Sequence, residues 1–194
     1  MKAYSVFCGS NSGQQPELVQ VSRYLGEMLA ARGIALVYGG AQVGLMGALA
    51  EGAKQNGGYT IGVLPQFLQT KEIAHPSLDE LHIVDSMHER KALMYERSEG
   101  IIMLPGGFGT LEEFFEMLTW AQLGLHQKPI GILNAFGYYD ALINMFDTME
   151  TEGFITPKHR KLFVVEKEAD TLLQAMDGFI SPPVKKWIQK EEQL

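Results

Sequence analysis

Cysteine, long apolar runs and positive charge are all scarce in this sequence. Cys8 is the one cysteine, so the chain cannot form an internal disulfide and gives no sign of an oxidising compartment. No apolar run approaches the roughly 18 residues that a membrane-spanning helix needs, and the first residues lack the apolar core of a signal peptide. These absences predict a cytoplasmic protein that does not enter a membrane.

The charge balance is acidic. Lysine and arginine number 16 against 23 aspartate and glutamate residues, which gives a formal net charge of −7 at pH 7. Because sequence-independent binding to nucleic acid depends on clustered cations, we expect no nucleic-acid partner. A small anionic ligand is compatible with this charge, since a few local donors suffice to bind it.

The chain has enough apolar material for one sizeable core. Of its 194 residues, 46% are hydrophobic and 20% are charged, which excludes a wholly disordered chain. No linker, internal repeat or low-complexity stretch interrupts it, so we expect a single domain over residues 1–194.

Short apolar runs alternate with longer helical patterns along the chain. The runs are continuous, as expected for strands that helices cover on both faces. This order predicts an α/β fold, namely a Rossmann-like, doubly wound and mostly parallel sheet of about seven strands. The predicted strands are residues 3–8, 34–38, 59–64, 81–84, 100–104, 129–133 and 162–165.

Helical patterns fill the spaces between these runs. In doubly wound sheets ligands bind beyond the carboxyl ends of the strands, so the loops after the first, second, third and fifth runs are the candidate sites. The predicted helices are residues 16–32, 45–56, 87–98, 111–123 and 138–152, followed by shorter ones after Glu168 and Pro183.

The loop after Tyr38 reads GGAQVGLMG over residues 39–47 and leads into a helix. Amide groups at a helix start favour an anion, but a structural turn explains the glycines equally well. The spacing is not G-x-G-x-x-G, and the next strand ends without the acidic residue that a dinucleotide's ribose requires. NAD-type binding is therefore disfavoured. Two interpretations of the loop remain, a structural turn and an anion-binding site.

The loop after Leu104 carries more chemical information. It reads PGGFGTLEE over residues 105–113, between a strand and a strongly apolar helix. Gly106, Gly107 and Gly109 let the backbone approach a ligand, and successive amides at the helix start form a phosphate cradle. Because no Gly-Lys-Ser/Thr ending is present, a monophosphate is a better guest than a triphosphate.

Two sequences also match helix capping boxes, which offer a structural explanation for their polar residues. Thr110 and Glu113 match one box, while Ser86 and Glu89 match the other, where we favour the structural role.

Arg90 and Lys91 follow the second box, in the first turns of a helix, where the helix dipole disfavours cations. This position indicates an anionic guest or a carboxylate partner. A solvated basic pair is the alternative.

The residues MHERK at 87–91, taken together with the PGGFGTLEE loop, resemble the LOG family, cytokinin riboside 5′-monophosphate phosphoribohydrolases once labelled lysine decarboxylases. The resemblance covers nearly the whole chain, and neither motif departs from the family pattern. It implies an enzyme of the N-glycosidase type that cleaves an adenine-type nucleoside 5′-monophosphate to free base and ribose 5-phosphate. No metal and no cofactor are implied.

The resemblance also assigns roles to individual residues. Arg90 and Glu113 are expected to carry catalysis, and Gly107, Gly109 and Thr110 are expected to bind phosphate. A carboxylate can stabilise an oxocarbenium ion or activate water, and an arginine can offset negative charge on the phosphate or the leaving base. The implied substrate-binding residues are Glu72, Arg90, Lys91, Gly107, Phe108, Gly109, Thr110, Leu111, Glu112, Glu113 and Thr119.

The resemblance further implies a homodimer, or a larger assembly, with active sites near the subunit boundary. The predicted helix at 111–123 is apolar on most sides, which suits an interface and equally a helix buried within one subunit. We expect a homodimer that binds a nucleoside 5′-monophosphate, with AMP and an N6-prenylated AMP both open as substrates.

Other functions would use the same residues differently. A pyridoxal-phosphate decarboxylase needs a Schiff-base lysine, for which Lys91 is the nearest candidate, but a phosphate cradle does not make a decarboxylase. A nucleotide-binding regulatory or carrier protein would bind without turnover. Cys8 fits a small buried residue better than a nucleophile, and the histidines show no metal-ligand spacing.

Overall fold

The structure is a computed structural model that describes residues 1–69 and 73–184. Its strands are β1 (Ala3–Phe7), β2 (Ala35–Tyr38), β3 (Thr60–Pro65), β4 (Glu80–Val84), β5 (Gly100–Met103), β6 (Ile130–Leu133) and β7 (Val164–Glu166). Its helices are α1 (Glu17–Ala31), α2 (Gly44–Gln55), α3 (Met87–Glu96), α4 (Phe108–Gln122), α5 (Asp140–Thr151), α6 (Pro157–Arg160) and α7 (Ala169–Asp177).

The seven strands lie parallel in one sheet, in the order β4-β3-β2-β1-β5-β6-β7. The chain winds outward from β1 to β4, then returns past β1 to β5 and winds outward on the other side. The predicted doubly wound α/β sheet is confirmed. The winding reverses between β1 and β5, and in folds of this kind ligands bind in a crevice beyond the carboxyl ends of the strands at that point.

Helices cover both faces of this sheet. One core cluster joins α1, α2 and α7 to strand residues such as Tyr4 and Val6, and the other joins α3, α4 and α5 to Ala3 and Phe7. Because side chains alternate between the faces of a strand, β1 supplies both clusters. Double coverage explains why the central strands read as continuous apolar runs.

Most helix boundaries lie within two residues of the predictions, and two differences are larger. The fourth helix begins at Phe108 rather than at Leu111, because Gly107 is its N-cap and the glycine stretch joins the helix. The short α6 was not predicted, and the helix predicted after Pro183 lies almost wholly outside the described residues. In the part of the chain that the structure describes, no helix is long and apolar enough to cross a membrane.

The helices α1 and α2 pack backbone against backbone. A Cβ added at Gly26 would lie 2.1 Å from the carbonyl oxygen of Leu49, and one added at Gly52 would lie 2.0 Å from that of Arg23. Both glycines lie in helix interiors, where alanine is normally preferred by about 1 kcal/mol. Close packing therefore overrides helix propensity at both positions.

We predict that Gly52→Ala lowers the free energy of unfolding by about 1–3 kcal/mol, because the added methyl group has no room against the backbone of α1. Helix propensity alone predicts the opposite sign. Denaturant unfolding followed by circular dichroism measures the change. Gly109→Ala, where an added Cβ meets nothing within 4 Å, is the control and should lose no stability. A Gly52→Ala protein more stable than wild type would contradict this packing.

Candidate active site

A pocket of about 470 Å³ opens at the carboxyl ends of β1 and β5, where the topology predicts a ligand site. The loops after the two strands touch through their backbones, since the Gly9 amide donates to the Pro105 carbonyl at 3.1 Å. The Gly9 carbonyl in turn accepts from the Leu45 amide at the start of α2, also at 3.1 Å. The pocket wall thus combines residues 8–13, the start of α2 and the glycine loop before α4.

The glycine loop presents the start of α4 to this pocket. Gly107, the N-cap, has extended backbone and supplies no side chain to cap the helix. The amides of Phe108, Gly109 and Thr110 belong to the first turn and have no acceptor within the helix, and all three residues line the pocket. This arrangement has the geometry that the phosphate prediction requires, since amides at a helix start can donate to an anion in place of an acceptor within the helix.

Two consecutive tyrosines hold the glycine loop in place. The hydroxyl of Tyr138 donates to the Gly106 carbonyl at 2.8 Å, and the hydroxyl of Tyr139 donates to the Leu104 carbonyl at 2.8 Å. Burial raises the pKa of the Tyr139 phenol above its ordinary value, which keeps it protonated as a donor. Sequence analysis missed Tyr138, because it lies 32 residues from Gly106 in the chain and belongs to no recognisable motif.

The helical period separates the polar residues of α4 into two faces. Thr110 and Glu113, three residues apart, are buried and line the pocket. Glu112 and Glu116, four residues apart, lie on a neighbouring face and contact a lysine instead. The capping-box explanation of Thr110 and Glu113 is wrong, because Thr110 is the third residue of the helix and not its N-cap.

The structural role of Ser86 is confirmed with one difference. Its hydroxyl accepts from the Glu89 amide at 3.1 Å, as an N-cap should. The Glu89 carboxylate accepts from the Asp85 amide at 2.9 Å, one residue earlier than the box predicts. The cap fixes the start of α3 and therefore the place from which its next residues project.

Arg90 projects from α3 into the floor of the pocket beside Glu113. Its Nε lies 3.8 Å from the Glu113 Oε1, and the two side chains are only 6% and 9% exposed. The guanidinium Nη1 also lies 3.9 Å from the Met87 sulfur. A solvated basic pair is therefore the wrong interpretation, because charges are buried in this way only where partners offset their desolvation.

Lys91 faces away from Arg90 despite being its neighbour in sequence. Its ammonium donates to the Glu112 carboxylate and lies 3.1 Å from the Glu116 carboxylate. Burial lowers the pKa of Lys91, but hydrogen bonds to the two glutamates outweigh burial and raise the pKa above its ordinary value of 10.5. A Schiff-base lysine must give up its proton, so this environment disfavours the decarboxylase role. Lys128, whose pKa burial lowers to about 8, is not a pocket-lining residue either.

The structure brings about half of the predicted substrate-binding residues together. The residues that line the pocket are Arg90, Gly107, Phe108, Gly109, Thr110 and Glu113. The residues that do not line it are Lys91, Leu111, Glu112 and Thr119. Thr119 lies in a separate groove of about 210 Å³, and Glu72 lies outside the described residues.

Several pocket residues were not predicted individually. Residues 10–13 follow β1 at the edge where the fold predicts ligands, so their position could have identified them. Met46 and Met87 give no such signal. Cys8 is buried, as expected, and also lines the pocket. Among the described residues, no group of three or more histidine, cysteine or acidic side chains is arranged to hold a metal ion.

Comparison with known proteins identifies the family. A family model described as "Possible lysine decarboxylase" matches residues 46–176. A probable cytokinin riboside 5′-monophosphate phosphoribohydrolase of Oryza sativa subsp. japonica is 47% identical over 175 residues, which cover 90% of this chain and 77% of that protein. The chain belongs to the LOG family. A cytokinin riboside 5′-monophosphate phosphoribohydrolase of Rhodococcoides fascians is 46% identical over 176 residues, with 90% and 89% of the two chains covered.

Solved structures with low sequence identity to this chain share its fold. The molybdenum cofactor carrier protein of Chlamydomonas reinhardtii aligns with a TM-score of 0.70 over 92% of this chain and 96% of that chain. At 21% sequence identity the likeness shows a common architecture alone.

We predict that Lys91→Met lowers the free energy of unfolding by about 1–2 kcal/mol, because the Glu116 carboxylate is left partly buried beside an apolar chain. Because the pKa of Lys91 is raised in the fold, its stabilising effect is full below pH 10.5 and is lost as the pH rises through the folded value. Denaturant unfolding at neutral pH measures the loss. The exposed Lys158 offers the control, Lys158→Met, and equal stability of the two variants would contradict the ion-pair assignment.

Proposed function

We propose that this protein hydrolyses the N-glycosidic bond of adenine-type nucleoside 5′-monophosphates, either cytokinin riboside 5′-monophosphate or AMP or both, to free base and ribose 5-phosphate. The observation that carries the proposal is the Arg90–Glu113 pair, which is buried in the pocket that the start of α4 also lines. Relatives 47% and 46% identical to this chain are named for this reaction.

The start of α4 would bind the 5′-phosphate. Its amides and helix dipole favour an anion despite the net charge of −7 over the whole chain. Glu113 is five positions beyond Phe108, which corresponds to a rise of about 7.5 Å along the helix axis. A nucleotide held by its phosphate at the helix start therefore has its sugar, the next group along, nearest the carboxylate.

The pair would then act on the bond between C1′ and the base nitrogen. As this bond breaks, positive charge grows on the ribose and the departing base keeps the electron pair. The Glu113 carboxylate stabilises the developing cation, or accepts a proton from the attacking water. Arg90 offsets negative charge on the phosphate or the leaving base. Water supplies the hydroxyl group at C1′, and its proton ends on the base, so the reaction balances.

A carrier or regulatory protein is the alternative function. The same architecture occurs in a molybdenum cofactor carrier protein, so the fold itself does not require catalysis. Such a protein would bind the nucleotide and release it unchanged. A buried carboxylate beside the sugar position favours the hydrolase, because a carrier gains nothing from a charge there.

We predict that Glu113→Gln retains the fold and nucleotide binding and lowers kcat by about 10²–10⁴-fold, since the amide can neither accept a proton nor carry charge. Chromatography of free base and ribose 5-phosphate measures turnover, and calorimetric titration measures binding. The control is Glu152→Gln, at the exposed residue that follows α5. Near-wild-type turnover by Glu113→Gln would remove Glu113 from the chemistry.

We further propose that the protein is a homodimer whose interface includes the outward side of α4. Phe115 and Leu118 on α4 are only partly buried, and they line the apolar 210 Å³ groove with Phe146 of α5. Thr119 lines the same groove, so any contact between Thr119 and substrate would involve the subunit boundary. A groove of this kind gains stability when a second copy covers it.

Light scattering at micromolar concentration should give a mass twice the 21.6 kDa of one chain. Leu118→Asp should shift the protein towards the monomer, because it places a charge in an apolar interface. Gln20→Asp, on the exposed side of α1, should leave the assembly unchanged. A wild-type protein that is monomeric under these conditions would contradict the dimer.

The composition of the chain also bears on its cellular compartment and on its partners. We infer a cytoplasmic enzyme whose partner is a small nucleotide, because the single cysteine gives no sign of an oxidising compartment. The acidic net charge of −7 disfavours a surface that follows a nucleic-acid backbone.

A further inference from the structure

Gly39 is the first residue after β2 and contacts the Arg90 side chain. A Cβ added at Gly39 would lie 1.9 Å from the Arg90 Nη2 and 3.1 Å from its Cζ. Cβ atoms in real proteins essentially never approach another atom within 3.0 Å. The guanidinium therefore occupies the space that any side chain at position 39 would need.

The backbone at Gly39 does not itself require glycine. The next residue, Gly40, has a φ of 80°, in the left-handed region that favours glycine. Gly39 is absent from the residues with positive φ, so its backbone conformation is open to other amino acids. The two adjacent positions thus require glycine for different reasons. Gly40 adopts the left-handed backbone of the turn, and Gly39 leaves room for the guanidinium.

The guanidinium is confined by other groups as well. The Met46 sulfur of α2 would lie 2.8 Å from the same added Cβ, so it borders the same space. The Met87 sulfur of α3 lies 3.9 Å from Nη1 on another side of the group. Gly39 and the two methionine sulfurs thus border the guanidinium and restrict where it can lie. In this position the Arg90 Nε is 3.8 Å from the Glu113 Oε1.

We propose that Gly39 is a positioning residue for Arg90, because its missing side chain creates the seat in which the guanidinium lies and so fixes the cation relative to Glu113 and the substrate. The catalytic consequence rests on the proposed function. The steric relation between Gly39 and Arg90 does not, and it is tested separately.

An alanine at position 39 would move the guanidinium and not the fold. Real Cβ contacts essentially never fall below 3.0 Å, so the Nη2 atom must retreat from a separation of 1.9 Å to at least that distance. This atom is the far end of a flexible side chain, and it can retreat without moving the backbone. A displacement of this order at a catalytic group costs about 100-fold in rate.

The first test compares Gly39→Ala with Gly178→Ala, in which the added Cβ has nothing nearer than 3.8 Å and no positive φ is involved. Steady-state kinetics of base release should show about a 100-fold lower kcat for Gly39→Ala, with a much smaller fold-change in KM. The melting temperature should stay close to that of wild type. Gly178→Ala should match wild type. Wild-type kcat in Gly39→Ala would overturn the proposal.

The second test asks whether Gly39 acts through Arg90. In an Arg90→Lys background the guanidinium is gone, so adding Gly39→Ala should lower the remaining kcat by less than about threefold. An equally large loss in both backgrounds would show that the alanine acts by another route, and would overturn the proposal.

The third test does not depend on turnover. Crystal structures of wild type and Gly39→Ala should show the guanidinium displaced by more than about 1 Å, with the backbone of β2 and α3 superimposable. An unmoved guanidinium would overturn the proposal. If wild type released no base while the displacement was observed, the proposed function would fail and the positioning role of Gly39 would stand.

Discussion

Burial of two opposite charges, on Arg90 and Glu113, is the constraint to which the rest of the pocket is fitted. Either charge alone in this position would cost several kcal/mol of desolvation, so the two must be brought together. They come from α3 and α4, the helices that precede and follow β5 in the chain. The crossover through α3 carries the chain back from the β4 edge to the centre of the sheet, and α4 leaves that centre. The doubly wound topology is thus what makes the pair possible.

The same topology places the first turn of α4 in the same pocket as the pair. Because α4 begins directly after β5, its first amides and Glu113 lie on one rigid helix, and their separation is set by helix geometry. Tyr138 and Tyr139 fix the loop that precedes this helix through two backbone carbonyls. The first amides of α4 and Glu113 thus keep a spacing that does not depend on loop motion, which suits the proposed reaction because that reaction requires alignment of one bond.

Periodicity and glycine spacing predicted the sheet, all seven of its strands and the glycine loop that lines the pocket, because these features depend on local patterns. They could not tell Arg90 from Lys91, since adjacent residues on a helix face different neighbours and only the packed structure shows which. Lys91 forms ion pairs with two glutamates of α4, whereas Arg90 lines the pocket. Sequence also cannot separate Gly39 from Gly40, because a glycine needed for side-chain room and one needed for a left-handed turn look alike.

The most direct test is to incubate the purified protein separately with AMP and isopentenyl-AMP and to quantify free base and ribose 5-phosphate by chromatography. We expect at least one nucleotide to yield the two products in equal amounts, and the relative rates rank the substrates. Measurable binding of both nucleotides with no release of base from either would contradict the proposed hydrolysis. That result would instead favour a protein that carries or senses the nucleotide.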